Sequence, residues 1–416
     1  MDWLGVLPFA AMLLGIALLP LLVPHLWEHP AAPYALVIAC SLPVVVFAPG
    51  LEHRSEILHS LAEYIAFMAL ISALFVTAGG IHISGNPRGT PAVNTAVLAI
   101  GAVAASLIGT TGASMLLIRP FLEANRERTI KTHIAVFFIL IVSNSGGLLT
   151  PLGDPPLYLG YLNGVPFTFT FGLWPAWLLA QVVLLSMFWI WDRRAYGQEP
   201  ASAIRLDIAH QTPFRIRGQV NIAIALGIIA CSAAGLPSPW REIGYLVLIA
   251  LSLQLTDRSV REANTFHYGP LKEVAILFFG IFVTMAPALR FLERIAPSLP
   301  VDSASGLFVM SGLLSSLLDN APTYLLFASL ASAKAGFGSH LGELAAHAPH
   351  LLAAISIGSV FMGANTYIGN GPNLLVKAVA EGAGDASIKM PNFLAYAAMA
   401  TGLLIPVYIG VLLFVL

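Results

Sequence analysis

HIAVFFILIVSNSGGLLTPLGDPPLYLGYLN, residues 133–163, begins and ends like a membrane helix but cannot be one in its middle. Ser143, Asn144, Gly146, Gly147, Thr150, Pro151, Gly153, Asp154, Pro155 and Pro156 crowd its centre. A proline inside a helix removes a donor and clashes with the preceding turn, at about 3 kcal/mol or more. The stretch therefore predicts a half-helix, an unwound run from Asn144 to Asp154, and a second half-helix starting at Pro155. Backbone opened at membrane depth must face protein or water, never lipid. A second stretch, GANTYIGNGPNLLVKAVAE at residues 363–381, repeats the pattern with Asn365, Thr366, Gly369, Asn370, Gly371, Pro372 and Asn373. Paired broken helices in two halves of a chain point to a binding site between them, where freed carbonyls and half-helix ends can replace the hydration shell of a small cation.

The rest of the chain fits this membrane reading. Of 416 residues, 57% are hydrophobic and 10% charged, against about 25% charged in soluble domains. A formal net charge of -1 offers no basic patch for nucleic acid. Cys40 and Cys231 both lie in apolar runs and make neither a disulfide framework nor a metal-ligand pattern. The N-terminal MDWLGVLPFAAMLLGIALLPLLV has Asp2 but no Lys or Arg before its apolar run and no small-residue cleavage site. It reads as a first span rather than a signal peptide.

Twelve apolar segments approach the roughly 20 residues a span needs. They are 5–24, 33–49, 61–83, 92–120, 132–162 and 173–191, then 218–235, 240–256, 273–292, 304–334, 348–380 and 392–416. The third to sixth of each set echo one another. Glu63 and Glu273 open the third segments, and Phe75-Val76-Thr77 matches Phe282-Val283-Thr284. Ser106-Leu107-Ile108-Gly109-Thr110-Thr111 matches Ser316-Leu317-Leu318-Asp319-Asn320-Ala321-Pro322 in the fourth, and Asn144-Ser145 is set against Asn365-Thr366 in the fifth. The fourth segments run to about 30 residues with polar centres, too long for one straight span at ~1.5 Å per residue. Each is expected to be a re-entrant hairpin.

With two hairpins each half crosses five times, so the second half is inverted. Fifteen of the 20 Lys and Arg then fall on one face, and Arg54, Arg241, Arg290, Arg294 and Lys334 on the other. The positive-inside tendency makes the richer face cytoplasmic. Twelve full crossings would instead divide the 20 as six against fourteen, so the repeat symmetry argues for hairpins more than charge does. The expected fold is an all-α polytopic membrane protein of two inverted repeats, with about ten transmembrane helices, two re-entrant hairpins and two broken helices. Residues 1–195 form the first repeat (scaffold spans 1–60, hairpin and broken helix 61–191), 196–217 a cytoplasmic linker, and 218–416 the second repeat. Localisation in an inner (cytoplasmic) membrane with both termini outside follows.

Asp154 and Asp319 are carboxylates at membrane depth, where an ionisable group is costly and a functional candidate. Each also has a purely structural reading. Gly-Asp-Pro-Pro is a good helix start, with Asp as N-cap and Pro at N1, and Asp319-Asn320 can cap a short helix at the hairpin tip. Thr110 and Thr111 hold the matching place in the first hairpin, where hydroxyls often bond a local carbonyl. Glu63 and Glu273 read as interfacial, and Thr77 and Thr284 as bonded within their helices. His82, His133, His347 and His350 lie near loops without a zinc-site context. The aromatic run from Val165 to Phe171 suits an outer interface.

Ser143-Asn144-x-Gly146-Gly147-x-x-Thr150-Pro151-x-Gly153-Asp154 resembles the motif of sodium/proton antiporters of the NhaD type, part of a larger ion-transporter superfamily with arsenite, citrate and dicarboxylate carriers. Asp319-Asn320-x-Pro322 is similar to their second hairpin motif, and Asn365-Thr366 to the Asn-Thr signature of the dicarboxylate branch. The resemblance covers about 63–191 and 273–410. Pro155-Pro156 and the run Gly369-Asn370-Gly371-Pro372-Asn373 depart from it toward a branch labelled citrate-transporter-like. The resemblance implies a homodimer with a scaffold and a moving transport domain.

The expected function is secondary active exchange of Na⁺ for H⁺, with the alternative of Na⁺-coupled transport of citrate or a related carboxylate. No nucleophile–base pair or metal cluster suggests an enzyme. No cofactor is expected beyond Na⁺ as transported or coupling ion. The expected partners are Na⁺, H⁺, the lipid bilayer and a second copy of the chain, with no nucleic acid. Expected ion-binding residues are Asn144, Ser145, Thr150, Asp154, Thr110, Thr111, Asp319, Asn320, Asn365, Thr366, Asn370 and Asn373. Asp154, Asn144, Asp319 and Asn365 are the closest Na⁺ candidates.

Overall fold

The computed structural model describes residues 5–27, 29–47, 51–299, 303–338 and 340–416. Asp2, the N-terminus and the side chain of Arg54, on which parts of the sequence reading rest, lie outside them. The first half contains α1 (Leu7–Leu22), α2 (Pro24–Trp27), α3 (Ala32–Phe47), α4 (Leu51–Gly79), β1 (His82–Asn86), α5 (Pro91–Ile108), α6 (Thr110–Glu123), α7 (Thr132–Ile141), α8 (Pro155–Leu162), α9 (Trp174–Gly197), α10 (Ala201–Ala209) and β2 (Thr212–Arg217). The second contains α11 (Val220–Ala233), α12 (Trp240–Leu255), α13 (Arg258–Ala263), α14 (Gly269–Ile295), α15 (Ala304–Ser315), α16 (Asn320–Lys334), α17 (Leu341–His347), α18 (Pro349–Met362), α19 (Gly371–Glu381) and α20 (Phe393–Phe414).

This is an all-α polytopic membrane protein. Among the described residues six helices are long and apolar enough to cross a bilayer, and the bent pair of α17 and α18 makes up to seven. Four more, including most of α1 and α3, are apolar but shorter. Their outward side chains are apolar too, with Leu14, Ile38, Leu58, Ile65, Val182, Leu246 and Leu413 all exposed. Such a surface is stable against lipid tails rather than water.

The fourth segments are hairpins. Thr90 caps α5 by accepting from the Val93 amide, with Pro91 at the first position, and α5 stops at Gly109, whose φ of 82° turns the chain. The arms then return side by side. Asn94 and Asn125 exchange amide hydrogen bonds of 2.8 and 2.9 Å, which a straight span would place some 45 Å apart at about 1.5 Å per residue. In the second hairpin, Lys334 at the end of α16 donates to the Leu299 carbonyl before α15.

The side chains sort into two apolar cores. One holds Leu98, Ala113, Phe137, Phe188, Phe308, Phe361, Tyr396 and Val411, from the inner faces of α5–α7, α9, α15, α18 and α20. The other holds Met12, Val37, Phe67, Ile228, Tyr245, Phe282, Tyr324 and Ile355, from α1, α3, α4, α11, α12, α14, α16 and α18. Each core draws on both halves of the sequence.

Residues 196–217 carry regular structure of their own. α9 runs to Gly197, and β2 pairs antiparallel with β1, bringing His82 opposite Arg217. Glu199 receives the amides of Thr129 (2.9 Å) and Ile130 (2.9 Å), the Thr129 hydroxyl (2.7 Å) and, at 3.6 Å, Arg128. Burial pushes the Glu199 carboxyl up, and these donors outweigh it, so its pKa lies below the ordinary range.

Candidate functional site

The first broken helix is built as its residues require. α7 ends at Ile141, a short 3-10 turn covers Ser145–Leu149, Thr150 is extended (φ -133°, ψ 157°), and Asp154 (φ -146°, ψ 144°) leads into α8 with prolines at its start. The second copy follows suit. Thr366 (φ -135°, ψ 166°) is extended, and Asn370 (φ -155°, ψ 136°) leads into α19 with Pro372 near its start. The structural equivalence is Thr150-x-x-Gly153-Asp154-x-Pro156 with Thr366-x-x-Gly369-Asn370-x-Pro372. Asn144-Ser145 and Asn365-Thr366, alike in sequence, are therefore not equivalent positions.

The two copies are braced identically to their hairpins. Ser106 on α5 donates to the Gly146 carbonyl (2.5 Å), and its own carbonyl accepts from the Thr150 hydroxyl. Ser316, just beyond α15, donates to the Met362 carbonyl (3.0 Å), and its own carbonyl accepts from the Thr366 hydroxyl (2.5 Å). In each copy two glycines pass backbone to backbone, Gly147 over Gly153 and Gly363 over Gly369, where a Cβ would strike a carbonyl oxygen.

Asp154 sits where these pieces meet and is 1% exposed. Its carboxylate accepts from the Thr110 hydroxyl (2.7 Å) at the tip of the first hairpin, from the Asn320 amide at the tip of the second, and from the Asn370 amide (3.3 Å) of the second broken helix. It holds the N-cap position of α8 without making a cap hydrogen bond. Capping therefore does not occupy this carboxylate. Asp319 is different: its Oδ1 accepts from the Ala321 amide (3.0 Å), so it caps α16.

Asn144 donates to Asn373 Oδ1 (2.7 Å), and its own Oδ1 accepts from Asn370 (3.2 Å). Asn373 in turn donates to the Gly363 and Thr366 carbonyls, both at 2.9 Å. Thr110, Asp154, Asn320, Asn370, Asn144 and Asn373 are thus brought into one continuous network. The remaining candidates are turned elsewhere. Thr150 and Thr366 serve the braces. Ser145 donates to the Leu140 carbonyl (2.8 Å), and Asn365 is held between Ser316 (2.9 Å) and the Tyr408 hydroxyl (2.7 Å). Thr111 lines a cavity beside Thr110 and Asp154.

That cavity has a volume of about 40 Å³ and is walled by Leu70, Leu74, Phe75, Ile108, Leu152 and Tyr158, with no Lys or Arg in its lining. At about 10–15 Å³ per water it holds a few water-sized guests. Asn320 Oδ1, which is buried, has no hydrogen-bond partner. A buried acceptor left open is costly unless something fills it. The sequence named Asn320 and Asn370 as candidates. It missed the bracing serines Ser106 and Ser316, although Ser106 and Ser316 stand at the same place in the matched hairpin segments.

Two hairpin tips and two broken helices close on one buried carboxylate, between apolar cores rather than on a surface. A family model described as "Putative citrate transport" matches residues 1–416, so the chain belongs to that family and is a secondary transporter. No curated protein matches the chain.

Proposed function

We propose that the protein exchanges Na⁺ for H⁺ at Asp154. The observation that carries this reading is the buried Asp154 carboxylate ringed by neutral oxygen-bearing side chains, beside the open Asn320 Oδ1. Hard cations such as Na⁺ favour oxygen ligands, and rotating the Asn320 and Asn370 amides exchanges a donor for an acceptor. A cation beside the carboxylate favours its charged form, so Na⁺ arrival expels a proton. One carboxylate then serves both ions alternately. Asp319 adds negative potential from the hairpin tip, and a cavity of about 40 Å³ suits a small, partly hydrated ion.

A second reading is Na⁺-coupled transport of citrate or a related carboxylate. The family's description favours it. So does the convergence of α6, α8, α16 and α19, whose N-termini begin at Thr110, Pro155, Asn320 and Gly371 around the site. Helix N-termini favour negative charge, although the Asp154 carboxylate already occupies their focus. In either reading the chain works as two inverted repeats of five crossings, in an inner membrane with both termini outside, and as a homodimer.

The test is a flux assay in sealed vesicles loaded with a pH-sensitive dye, adding Na⁺, Li⁺ or K⁺ and then citrate. Dye response to Na⁺ alone supports exchange. Citrate uptake that requires Na⁺ and moves no protons replaces it with the second reading.

A further inference from the structure

The cavity beside Asp154 has one wall that leads away from the ion network. Tyr158 lines it one helical turn beyond Asp154 on α8. Tyr158 is 1% exposed, and its hydroxyl makes no well-formed hydrogen bond. Across from it, on α12, Tyr245 is fully buried and shares a 2.6 Å hydrogen bond with Ser232 of α11. The Tyr245 hydroxyl faces that of Tyr158, and the two make a loose contact rather than a well-formed hydrogen bond.

The polar line continues to the start of α12. Arg241 and Glu242 lie within electrostatic range of Tyr158. Arg241 binds Glu242 Oε1 at 2.6 Å and stacks over the Tyr161 ring, and Tyr161 donates to the Ser232 carbonyl (2.9 Å). Glu242 Oε2 is buried and unpartnered. Two under-satisfied buried polar atoms therefore flank the Tyr245–Ser232 pair. Buried polar groups of this kind are usually bridged by ordered water. Cys231, the remaining titratable neighbour, turns its sulfur to the Arg241 carbonyl (3.7 Å).

We propose that Tyr158 and Tyr245 line an internal water path that carries protons between Glu242, at the start of α12, and the cavity beside Asp154. The path rests on the exchange reading for its purpose. It gives the proton a route distinct from the apolar wall of Leu70, Leu74 and Phe75, and by the charge count it opens on the outer face. Tyrosine hydroxyls both donate and accept, so they relay a proton between waters without holding a charge.

Two measurements test it on the full-length protein. Hydroxyl-radical labelling, which marks side chains next to bound water, should modify Tyr158 and Tyr245 well above Tyr396. Tyr396 is fully buried too, but its hydroxyl is satisfied by the Ala364 carbonyl (3.0 Å). Labelling of all three at the same low level overturns the water path. In vesicles, Tyr245→Phe removes one hydrogen-bonding link of the relay and should slow Na⁺-driven proton release on the order of ten-fold while equilibrium ²²Na⁺ binding is kept. Proton release at the wild-type rate overturns the relay but leaves the exchange reading standing. A wild-type protein that moves no protons with Na⁺ overturns both.

Discussion

At the scale of single residues, Asp154 and Asp319 are separated by what their oxygens do. Asp154→Asn offers one acceptor to three donors, so it should cost on the order of 1–3 kcal/mol of stability. Folded protein should still be recovered, and Na⁺-driven proton release should fall to background. Persistent release would remove Asp154 from the coupling step. In the wild type, the apparent Na⁺ affinity should weaken as pH falls, because H⁺ and Na⁺ compete for one carboxylate. A pH effect confined to maximal rate would contradict that. Asp319→Asn keeps a capping oxygen and should retain folding and exchange, with a shift in apparent Na⁺ affinity as the main effect. Asp319→Ala should cost about 1 kcal/mol as a lost cap, readable in a thermal melt. Glu199 lies outside the spans and gives a separate pH signature. Its folded pKa is lowered, so its stabilisation is present above the ordinary glutamate range of about 4.3 and is lost as pH falls below it. Acid should therefore loosen the contact of Glu199 with Thr129 and Ile130 in the wild type. Glu199→Gln should flatten that dependence in hydrogen exchange at those two amides.

At the scale of elements, the glycine crossings are the tightest constraint. Gly153→Ala and Gly369→Ala each drive a Cβ into a carbonyl oxygen of the facing glycine. Both should abolish recovery of folded protein, whereas Gly402→Ala, with open space around it, should not. Normal yield of Gly153→Ala would mean the crossing is looser than described. The breaks themselves were legible in the sequence, because proline and glycine in an apolar run leave few alternatives, but Ser145–Leu149 winds into a 3-10 turn and only Asn144 and Thr150 to Asp154 of the expected run are free of helix. The hairpins were legible from length and a polar centre. The pairing of the two broken helices was not. Asn144-Ser145 and Asn365-Thr366 look alike, but the structure matches Thr150 with Thr366, since position relative to the bracing serine decides equivalence. β1 with β2 was also illegible. Their residues lie more than a hundred positions apart, and Phe214 and Ile216 alternate inside what reads as a basic loop. The site was half legible: residue types identified polar candidates, but only geometry showed that Thr150, Ser145 and Asn365 turn to the scaffold of the site.

At the scale of the whole molecule, two cores and a site between them set what labelling should find. If the charge count gives the orientation, a cysteine replacing Ala201 should react with a membrane-impermeant reagent only after the cytoplasmic face is opened. Labelling in intact cells would reverse the topology. Asp154 also draws its donors from both ends of the chain: Thr110 lies 44 residues before it and Asn370 lies 216 after it. A ribosome adding about 5–20 residues per second needs roughly 10–40 s to travel from Asp154 to Asn370. For most of that interval the nascent first half carries an acidic side chain into the bilayer with the Asn320 amide still unmade, and for all of it the Asn370 amide is missing. A chain truncated after Arg217 is frozen in that state and should be cleared by membrane proteases faster than the full-length protein. A pulse-chase experiment measures the two lifetimes, and equal decay would show that the first half shelters its own carboxylate.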